Sequence, residues 1–261
     1  LAGFPTSLTR FLAAPGDAWL AEALAAKTKY CRLVRRRVRG RDRWYVQLVQ
    51  GGAAPLKYAL GAGDVVGLDV GPSTIAAVSE KDATLERFCP TVEQPWREQR
   101  RLERAMDRSR RTTNPDNFDR RGRAKKGKKR WVRSRRYQRL AEKRRERERR
   151  LAAERKRAHG ELANRILAQG DLVRAEKLSY RAFQRAFGRS AKVRGAGMFV
   201  ATLRRKAAAA GGELVEFSAY RTRLSQFDHT TGEYVKKPLG QQIHVFGDGS
   251  GEAQRDLYSA F

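Results

Sequence analysis

The chain has 261 residues, of which 57 are Lys or Arg and 28 are Asp or Glu, and it carries a net charge of +29. A protein this basic repels itself unless a polyanion neutralises it, so nucleic acid is the first partner to consider and an anionic membrane surface is the competitor. The sequence shows neither the roughly 18 to 20 consecutive apolar residues of a membrane span nor an export signal, and we expect a cytoplasmic protein without a membrane partner.

The number of cysteines and the residues at the two ends of the sequence give further information about the kind of protein. Only two cysteines, Cys31 and Cys89, are present, which excludes a disulfide framework and a four-thiolate zinc site and fits a reducing compartment. The sequence starts at Leu1 rather than at a methionine, and it stops at Phe261 inside a predicted helix. We therefore expect a piece of a longer protein.

Residues 1–60 predict a short helix followed by a β-hairpin. An Ala- and Leu-rich run with an Asp in its first turn predicts a helix at 17–27. Two β-type runs follow at 29–39 and 43–50, joined by Gly40-Arg41-Asp42. The second run alternates apolar side chains on one face, namely Trp44, Val46 and Leu48.

The hairpin is also rich in arginine, notably at Arg35, Arg36 and Arg37. Charges on an exposed strand edge are the commoner explanation of such a pattern. Because these arginines alternate with Trp44 and Tyr45, the same pattern also fits a surface that holds phosphates and stacks on bases. We interpret the three arginines as nucleic-acid-binding residues.

Three short strands are predicted next, at 65–70, 74–78 and 84–89, and their short connections indicate an antiparallel meander. Asp69 lies where the first of these strands meets a tight turn, with glycines two residues away on either side. An unpaired carboxylate is strongly disfavoured in a core, so this position suggests a use for the charge. A turn-capping role is the alternative explanation of Asp69.

The composition then changes sharply. The segment 97–157 holds 28 Lys or Arg against 9 Asp or Glu, and so supplies +19 of the net charge. A flexible loop is predicted at 111–129, with a helix on either side. Three leucines recur every 11 residues and predict one thin apolar stripe along the second helix, at Leu140, Leu151 and Leu162.

Two interpretations fit the charged faces of this insert. In the first, ion pairs between Glu and Arg side chains stabilise a solvent-exposed helix, such as the pairs of Glu142 and Glu146 with neighbouring residues. The second is a nucleic-acid backbone lying along the helix, which we favour because the arginine surplus is too large for pairing. The insert residues predicted to bind nucleic acid are Arg101, Arg104, Lys125, Lys126, Lys128, Lys129, Arg130, Arg133, Arg135 and Arg136.

From residue 170 onward the pattern of strands and helices resumes. The predicted elements are a strand at 172–177, a basic loop or broken helix at 180–197, a helix at 199–210, a strand at 213–217, an irregular segment at 218–253 and a helix that begins at 254. Glu176 ends the first of these strands, and Asp256 lies in the first turn of the last helix. Both carboxylates therefore stand at element ends, as Asp69 does.

This element order is that of the ribonuclease H-like fold, an α/β architecture with a mixed sheet. In that fold the first and fourth strands lie side by side, so Asp69 and Glu176 are expected to be neighbours. Close carboxylates repel one another, and a hard divalent cation such as Mg²⁺ relieves the repulsion. Two such ions about 3.5 to 4 Å apart would support phosphodiester hydrolysis.

The three motifs carry a resemblance to a known family. The sequences GLDVGPSTIA, AEKLS and QRDLYSA resemble the three RuvC motifs of the TnpB (OrfB) family of transposases, which is similar to the type V CRISPR effector nucleases. The resemblance covers the chain from about residue 29 to its end. It implies an RNA-guided DNA endonuclease with DNA and guide RNA as partners, in which the catalytic residues and ligands of Mg²⁺ or Mn²⁺ are Asp69, Glu176 and Asp256.

The resemblance also implies a division of the chain. Residues 1–60 correspond to the end of a wedge-like β domain, and the insert at 94–169 corresponds to helices that hold nucleic acid. The RuvC-like domain is formed by the parts on either side of the insert, at 61–93 and 170–261.

The family usually carries a four-cysteine zinc ribbon, and here the matching loop at 218–253 departs from it. Asp228 and Thr231 replace two of the cysteines, and the second half of the loop has none. Asp228, His229 and His244 offer an alternative ligand set, but single histidines in a polar loop are more often surface residues. We therefore expect no zinc.

Two rival functions remain. One is a nucleic-acid-binding protein that has lost catalysis, as a truncated or domesticated remnant of a transposon. The other is a ribosomal or RNA-packaging protein, which explains the charge but gives no reason for three carboxylates at matched element ends. Divalent-metal-dependent cleavage of DNA distinguishes the nuclease from both.

Overall fold

The computed structural model describes residues 18–52, 64–93, 95–238 and 240–261. The parts of the predicted wedge-like segment at 1–17 and 53–60 lie outside these residues. The strands are β1 (Thr28–Val38), β2 (Arg41–Gln50), β3 (Val65–Val70), β4 (Thr74–Val78), β5 (Ala83–Arg87), β6 (Leu172–Glu176), β7 (Glu213–Phe217), β8 (Ile243–Val245) and β9 (Glu252–Gln254). The helices are α1 (Ala18–Ala25), α2 (Trp96–Thr113), α3 (Arg135–Leu167), α4 (Tyr180–Arg194), α5 (Ala196–Ala209), α6 (Ala219–Thr222) and α7 (Arg255–Ala260).

A five-stranded mixed sheet organises the fold, with the strand order β5-β4-β3-β6-β7. The first three strands form the predicted antiparallel meander, whereas β6 and β7 run parallel to β3. In β3 every second residue is buried, and in β4 three successive residues are buried. Such patterns are typical of strands in a sheet that helices cover. The first and fourth strands of this sheet are neighbours, as the element order predicts.

The hydrophobic core lies between this sheet and the helices α3 and α5. Phe199 and Leu203 of α5 are fully buried, and Phe199 packs edge-on against Phe88 with ring centroids 5.4 Å apart. His159 of α3 is buried in the same layer, where its Nε2 lies 2.7 Å from the carbonyl oxygen of Arg194. Burial lowers the pKa of His159, so the ring is a neutral core residue.

The predicted leucine stripe along α3 is confirmed, and the three leucines differ in how deeply they are buried. Leu162 is buried in the core and Leu151 packs against its edge. Leu140, near the start of the helix, lines a cavity of about 800 Å³ in the groove that α3 forms with α2 and the hairpin turn. The fully buried residues of α3 therefore lie in its last third, while the earlier part packs against α2 and the hairpin turn with its charges half-buried or exposed.

The connection between α2 and α3 differs from the flexible loop predicted there. Asn114 is buried, and its side chain donates to the carbonyl of Val132 and accepts from the Val132 N–H at 2.7 Å. Phe118 packs edge-on against Trp131 with ring centroids 5.6 Å apart. Contacts between residues 13 to 18 positions apart, which the sequence did not predict, close the ends of this loop.

The predicted hairpin is confirmed, but its turn is shorter than expected. Arg39 and Gly40 alone form the turn, both with positive φ angles of 51° and 73°, which gives the two-residue connection that matches strand twist. Arg41 and Asp42 belong to β2. The apolar face predicted on β2 exists, but it is exposed, with 60% of Trp44 accessible.

Two glutamates of α3 hold the hairpin turn. Glu142 accepts a hydrogen bond from Nε of Arg37 at 3.2 Å, and Glu146 accepts one from the backbone N–H of Arg39 at 3.4 Å. Glu146 also pairs along its own helix with Arg149 and Arg150, as in the first of the two interpretations of the insert. The pairing of Glu142 with the hairpin belongs to neither interpretation.

The remaining elements agree with the sequence. The basic segment after β6 is a broken helix, since α4 has non-helical angles at Phe187. Helix α5 ends before Gly211, whose φ is 81°. The segment between β7 and α7 is mostly irregular and contains the two-stranded sheet β8–β9. No helix in the described part of the chain is long and apolar enough to cross a membrane.

Candidate active site

Asp69 lies in β3, one residue before its end, and is half-buried. Its strand alternates buried and half-buried positions, which places Asp69 on the opposite face from Leu68 and Val70. Burial, and after it the negative charges of Asp256 and Glu176, raise the pKa of Asp69 from 3.8 to about 7, whereas the nearby Arg255 lowers it. Asp256 and Glu176 therefore lie close enough for their charges to affect Asp69.

Glu176 is the last residue of β6, the parallel neighbour of β3. The two strands pair as far as Leu68 with Ala175, so Asp69 and Glu176 are each the next residue along and lie on the same face of the sheet. Burial raises the pKa of Glu176, and a hydrogen bond from the backbone N–H of Leu224 partly offsets the effect. Parallel pairing in this register explains why residues 107 positions apart in sequence meet.

Asp256 reaches the same place from α7. The side chain of Gln254 caps the helix by accepting a hydrogen bond from the Leu257 N–H at 2.8 Å. Thr74, at the start of β4, donates its hydroxyl to Oδ2 of Asp256 at 3.3 Å, and Arg255 lies 3.5 Å from Oδ1. Asp69 precedes the turn between β3 and β4, and Thr74 follows it. The same turn therefore lies next to Asp69 and places the hydroxyl that binds Asp256.

Helix α7 can approach the sheet only because Gly67 has no side chain. A Cβ atom at this position would lie 1.6 Å from the carbonyl oxygen of Ala260, far inside any tolerated contact. Ala260 is four residues after Asp256, so both face the same side of the helix. Gly67 on β3 and Thr74 on β4 are therefore the two points that seat α7 against the sheet.

Asp69, Glu176 and Asp256 supply only carboxylate oxygens, which are the ligands that hard divalent cations take. In the described ranges, however, no group of three or more His, Cys, Asp or Glu side chains is arranged so that it could hold a metal ion. To hold a cation, the three side chains would have to move closer together.

The raised pKa of Asp69 predicts a stabilising substitution. Between pH 4 and 7 the folded chain retains a proton on Asp69 that the unfolded chain has lost, so stability falls as the pH rises through this window. Replacing Asp69 with Asn removes this loss. At pH 8, without divalent metal, we expect the free energy of unfolding to rise by up to about 4 kcal/mol, as measured by urea denaturation.

The gain should shrink as the pH falls from 7 to below 3.8, because Asp69 is then protonated in the folded and unfolded states alike. The exposed carboxylate of Asp116 serves as the control, since Asp116→Asn removes an equal charge away from the cluster. A gain that is independent of pH, or equal in the control, would contradict the electrostatic explanation.

Most of the predicted nucleic-acid-binding residues are exposed. In the hairpin, Arg35 lies over the ring of Trp44 and Arg36 over that of Tyr45, each 5.8 Å from the ring centroid. Arg37 is instead the partner of Glu142. The insert residues with exposed side chains are Arg101, Arg104, Lys125, Lys126, Lys128, Arg130, Arg133, Arg135 and Arg136. Lys129 is half-buried and donates to the carbonyls of Lys125 and Gly127.

The loop at 218–253 contains a polar cluster that the sequence did not predict. His229 is exposed, as expected, but His244 is only 1% exposed, so the prediction of a surface residue is wrong for it. Its Nε2 lies 3.2 Å from Oδ2 of Asp228, which is also buried. In the strand Ile243–Val245 only the middle residue faces inward, and three residues are too few to give a periodic signal in the sequence.

Comparison of the chain with known proteins identifies a similar fold among solved structures but no protein family. No family model matches the chain, and no curated protein matches it. Among solved structures, the Cas12f1 chain of a Cas12f1–sgRNA–target DNA complex is similar, with a TM-score of 0.52 and 14% identity over 98% of this chain and 50% of that one. A chain of a CRISPR–Cas12f ternary complex gives a TM-score of 0.42 and 13% identity over 99% and 48%. This chain spans about half the length of either, and the likeness to the first shows a shared mixed α/β fold.

Proposed function

We propose that the chain is the nuclease part of a TnpB-like, RNA-guided DNA endonuclease with a ribonuclease H-like (RuvC) fold. The observation that carries the proposal is the placement of Asp69 and Glu176 at matched positions of the two central parallel strands, with Asp256 facing them from α7. The sgRNA and target DNA in the similar Cas12f1 complex support guide RNA and DNA as partners. On this proposal, 61–93 and 170–261 form one catalytic unit that the basic insert at 94–169 interrupts.

Asp69, Glu176 and Asp256 would hold Mg²⁺ or Mn²⁺, which would supply a nucleophilic water and stabilise the leaving oxygen in phosphodiester hydrolysis. Asp69 must give up its proton to act as a ligand, and with a pKa of about 7 it does so at small cost at neutral pH. Thr74 orients Asp256 by donating to Oδ2. The positive charge of Arg255 limits the repulsion among the carboxylates.

A binding protein without catalysis is the second candidate. The observation that favours it is that the side chains of the described residues form no ready metal site. The two candidates differ in one experiment, in which the protein and RNA transcribed from its own locus are incubated with DNA in Mg²⁺, Mn²⁺ or EDTA. Cleavage in Mg²⁺ or Mn²⁺ but not in EDTA is expected. Retained binding without cleavage in any metal would favour the second candidate.

The basic insert should account for most of the affinity for nucleic acid. Lys125, Lys126, Lys128 and Lys129 lie together in the loop between α2 and α3, and each phosphate that they neutralise releases counterions. Replacing all four with Gln should flatten the plot of log affinity against log salt, by about 0.9 for each phosphate that the variant no longer neutralises on duplex DNA. Fluorescence anisotropy at four salt concentrations measures the slope.

Two lysines outside the insert provide the control. Lys81 and Lys236 are exposed, and their replacement with Gln should leave the slope nearly unchanged. An unaltered slope in the insert variant would place the bound phosphates elsewhere, with the arginines of α3 and the hairpin as the next residues to replace.

A further inference from the structure

The loop between β7 and α7 is organised around the side chain of Asp228. Its Oδ1 accepts hydrogen bonds from the backbone N–H of Thr230 at 3.0 Å and from the Thr230 hydroxyl at 2.7 Å. Its Oδ2 accepts from the N–H of Gly247 at 2.8 Å and lies 3.2 Å from Nε2 of His244. These four contacts use the acceptor capacity of one carboxylate, and they tie the turn after Phe227 to the β8–β9 hairpin.

The second member of the cluster is His244. Its Nδ1 is in contact with the ammonium group of Lys237, while its Nε2 faces Asp228. An ammonium group only donates and a carboxylate only accepts, so the proton of a neutral imidazole belongs on Nε2 and the lone pair of Nδ1 faces Lys237. Ammonium, imidazole and carboxylate therefore satisfy one another in the buried space without a metal ion.

The cluster reaches the carboxylate site through Tyr258. The ring of His244 stacks on the ring of Tyr258, with centroids 4.4 Å apart and planes inclined by 27°. Phe246 packs edge-on against the same ring at 5.4 Å. The tyrosine hydroxyl accepts a hydrogen bond from the N–H of His229 at 2.9 Å. Tyr258 is thus held on its face, at its edge and at its hydroxyl.

Tyr258 and Asp256 lie on opposite sides of α7, because residues two apart in a helix differ by roughly 200° in direction. On one side the helix is seated on the sheet through Asp256 with Thr74 and through Ala260 over Gly67. On the other side the loop cluster holds Tyr258. The rotation of α7 about its axis, and with it the direction of Asp256, therefore depends on both sets of contacts.

We propose that Asp228, His244 and Lys237 are positioning residues that hold Tyr258 and thereby aim Asp256 into the carboxylate site. Without this cluster α7 remains attached to the sheet but turns more freely, and the third carboxylate is presented less often. This inference rests on the proposed function for the role of Asp256, whereas the mechanical link from Asp228 to α7 does not depend on it.

The first measurement therefore needs no activity. Hydrogen exchange of the full chain should show faster exchange of the amides at 257–261 in Asp228→Asn than in the unaltered protein, by about 10-fold, while the amides of β3 and β6 keep their protection. Asp248→Asn is the matched control, because Asp248 lies in the same loop and its side chain accepts from the N–H of Ser250 within its own turn. The control should leave α7 unchanged.

The second measurement is cleavage as a function of Mg²⁺ concentration. We expect Asp228→Asn to require about 10-fold more Mg²⁺ for half-maximal cleavage, to recover most of the rate at saturation, and to bind nucleic acid with an unchanged salt slope. Tyr258→Phe keeps the stacked ring but loses the contacts of the hydroxyl with His229, and it should fall between the unaltered protein and Asp228→Asn. Tyr258→Leu loses the stacked ring as well and should resemble Asp228→Asn.

Each outcome decides one of the claims. Unaltered exchange of α7 in Asp228→Asn would overturn the inference, and so would one equivalent of zinc in the purified protein together with unfolding by chelators. Altered exchange of α7 with no cleavage by the unaltered protein in any metal would support the mechanical link and overturn the proposed function. If Asp228→Asn does not fold, Lys237→Met, which keeps the length of the side chain, takes its place with the same expectations.

Discussion

Replacing Asp69 or Glu176 with alanine is expected to abolish DNA cleavage while leaving the affinity for nucleic acid almost unchanged. On the proposed function, binding and cleavage use different residues, since most of the net positive charge lies in the insert and the two carboxylates lie near the ends of β3 and β6. Loss of either ligand should lower the rate by at least about 10³-fold, because residues that hold a metal act as one unit. Asp256→Ala should do the same, with residual cleavage where water replaces the ligand.

A carboxylate of the same strand region provides the control. Asp64 directly precedes β3 and pairs with Lys81 rather than with the cluster, so Asp64→Asn should cleave at close to the normal rate. Cleavage is measured on a labelled duplex with guide RNA, and affinity is measured on the same duplex in Ca²⁺. Undiminished cleavage by both alanine variants would refute the assignment of the site.

The second large effect is expected from Gly67→Ala. The added methyl group would overlap the carbonyl oxygen of Ala260. The oxygen belongs to the backbone and the methyl group is attached directly to it, so neither can turn aside and α7 must move away from β3. We expect the free energy of unfolding to fall by about 3 kcal/mol. Cleavage should fall as far as in Asp256→Ala, because the helix that moves carries that carboxylate. Urea denaturation and cleavage at saturating Mg²⁺ measure the two effects.

Gly188→Ala is the matched control for this substitution. A Cβ atom at Gly188, within α4, would meet nothing within 4 Å, so alanine should leave stability unchanged or raise it slightly. If Gly67→Ala folded with normal stability and cleaved normally, the close seating of α7 on β3 would be wrong.

The parts of the fold that follow from local patterns could be predicted from the sequence. The strands β3, β4, β6 and β7 were predicted within one residue of their bounds, because short apolar runs between turn residues have few alternative structures. The order of these strands along the chain predicted that the first and fourth strands are neighbours, which places Asp69 beside Glu176. Asp256 was placed in the first turn of the last helix by the same kind of local signal.

The parts that depend on contacts between distant residues could not be predicted. His244 lies in a strand of three residues, too short for a periodic signal, and its burial depends on Asp228 and Tyr258. The closure of the loop after α2 depends on Asn114 recognising the backbone of Val132, and side-chain to backbone hydrogen bonds leave no mark in composition. The nearness of Gly67 to Ala260 is likewise a property of the folded chain.

The parallel pairing of β3 with β6 has a consequence for the order in which the molecule folds. The pairs β3–β4 and β4–β5 join near neighbours in sequence, and the contacts between α2 and α3, such as Ser109 with Ser134 and Glu98 with Arg147, span 25 to 49 positions. Leu68 and Ala175, by contrast, are 107 positions apart. Contacts of such long range form slowly, because the intervening chain must be ordered first. A nascent molecule should therefore form the basic helices before Asp69 and Glu176 come together, so that under the proposed function the surface for binding nucleic acid would form earlier than the cleavage site.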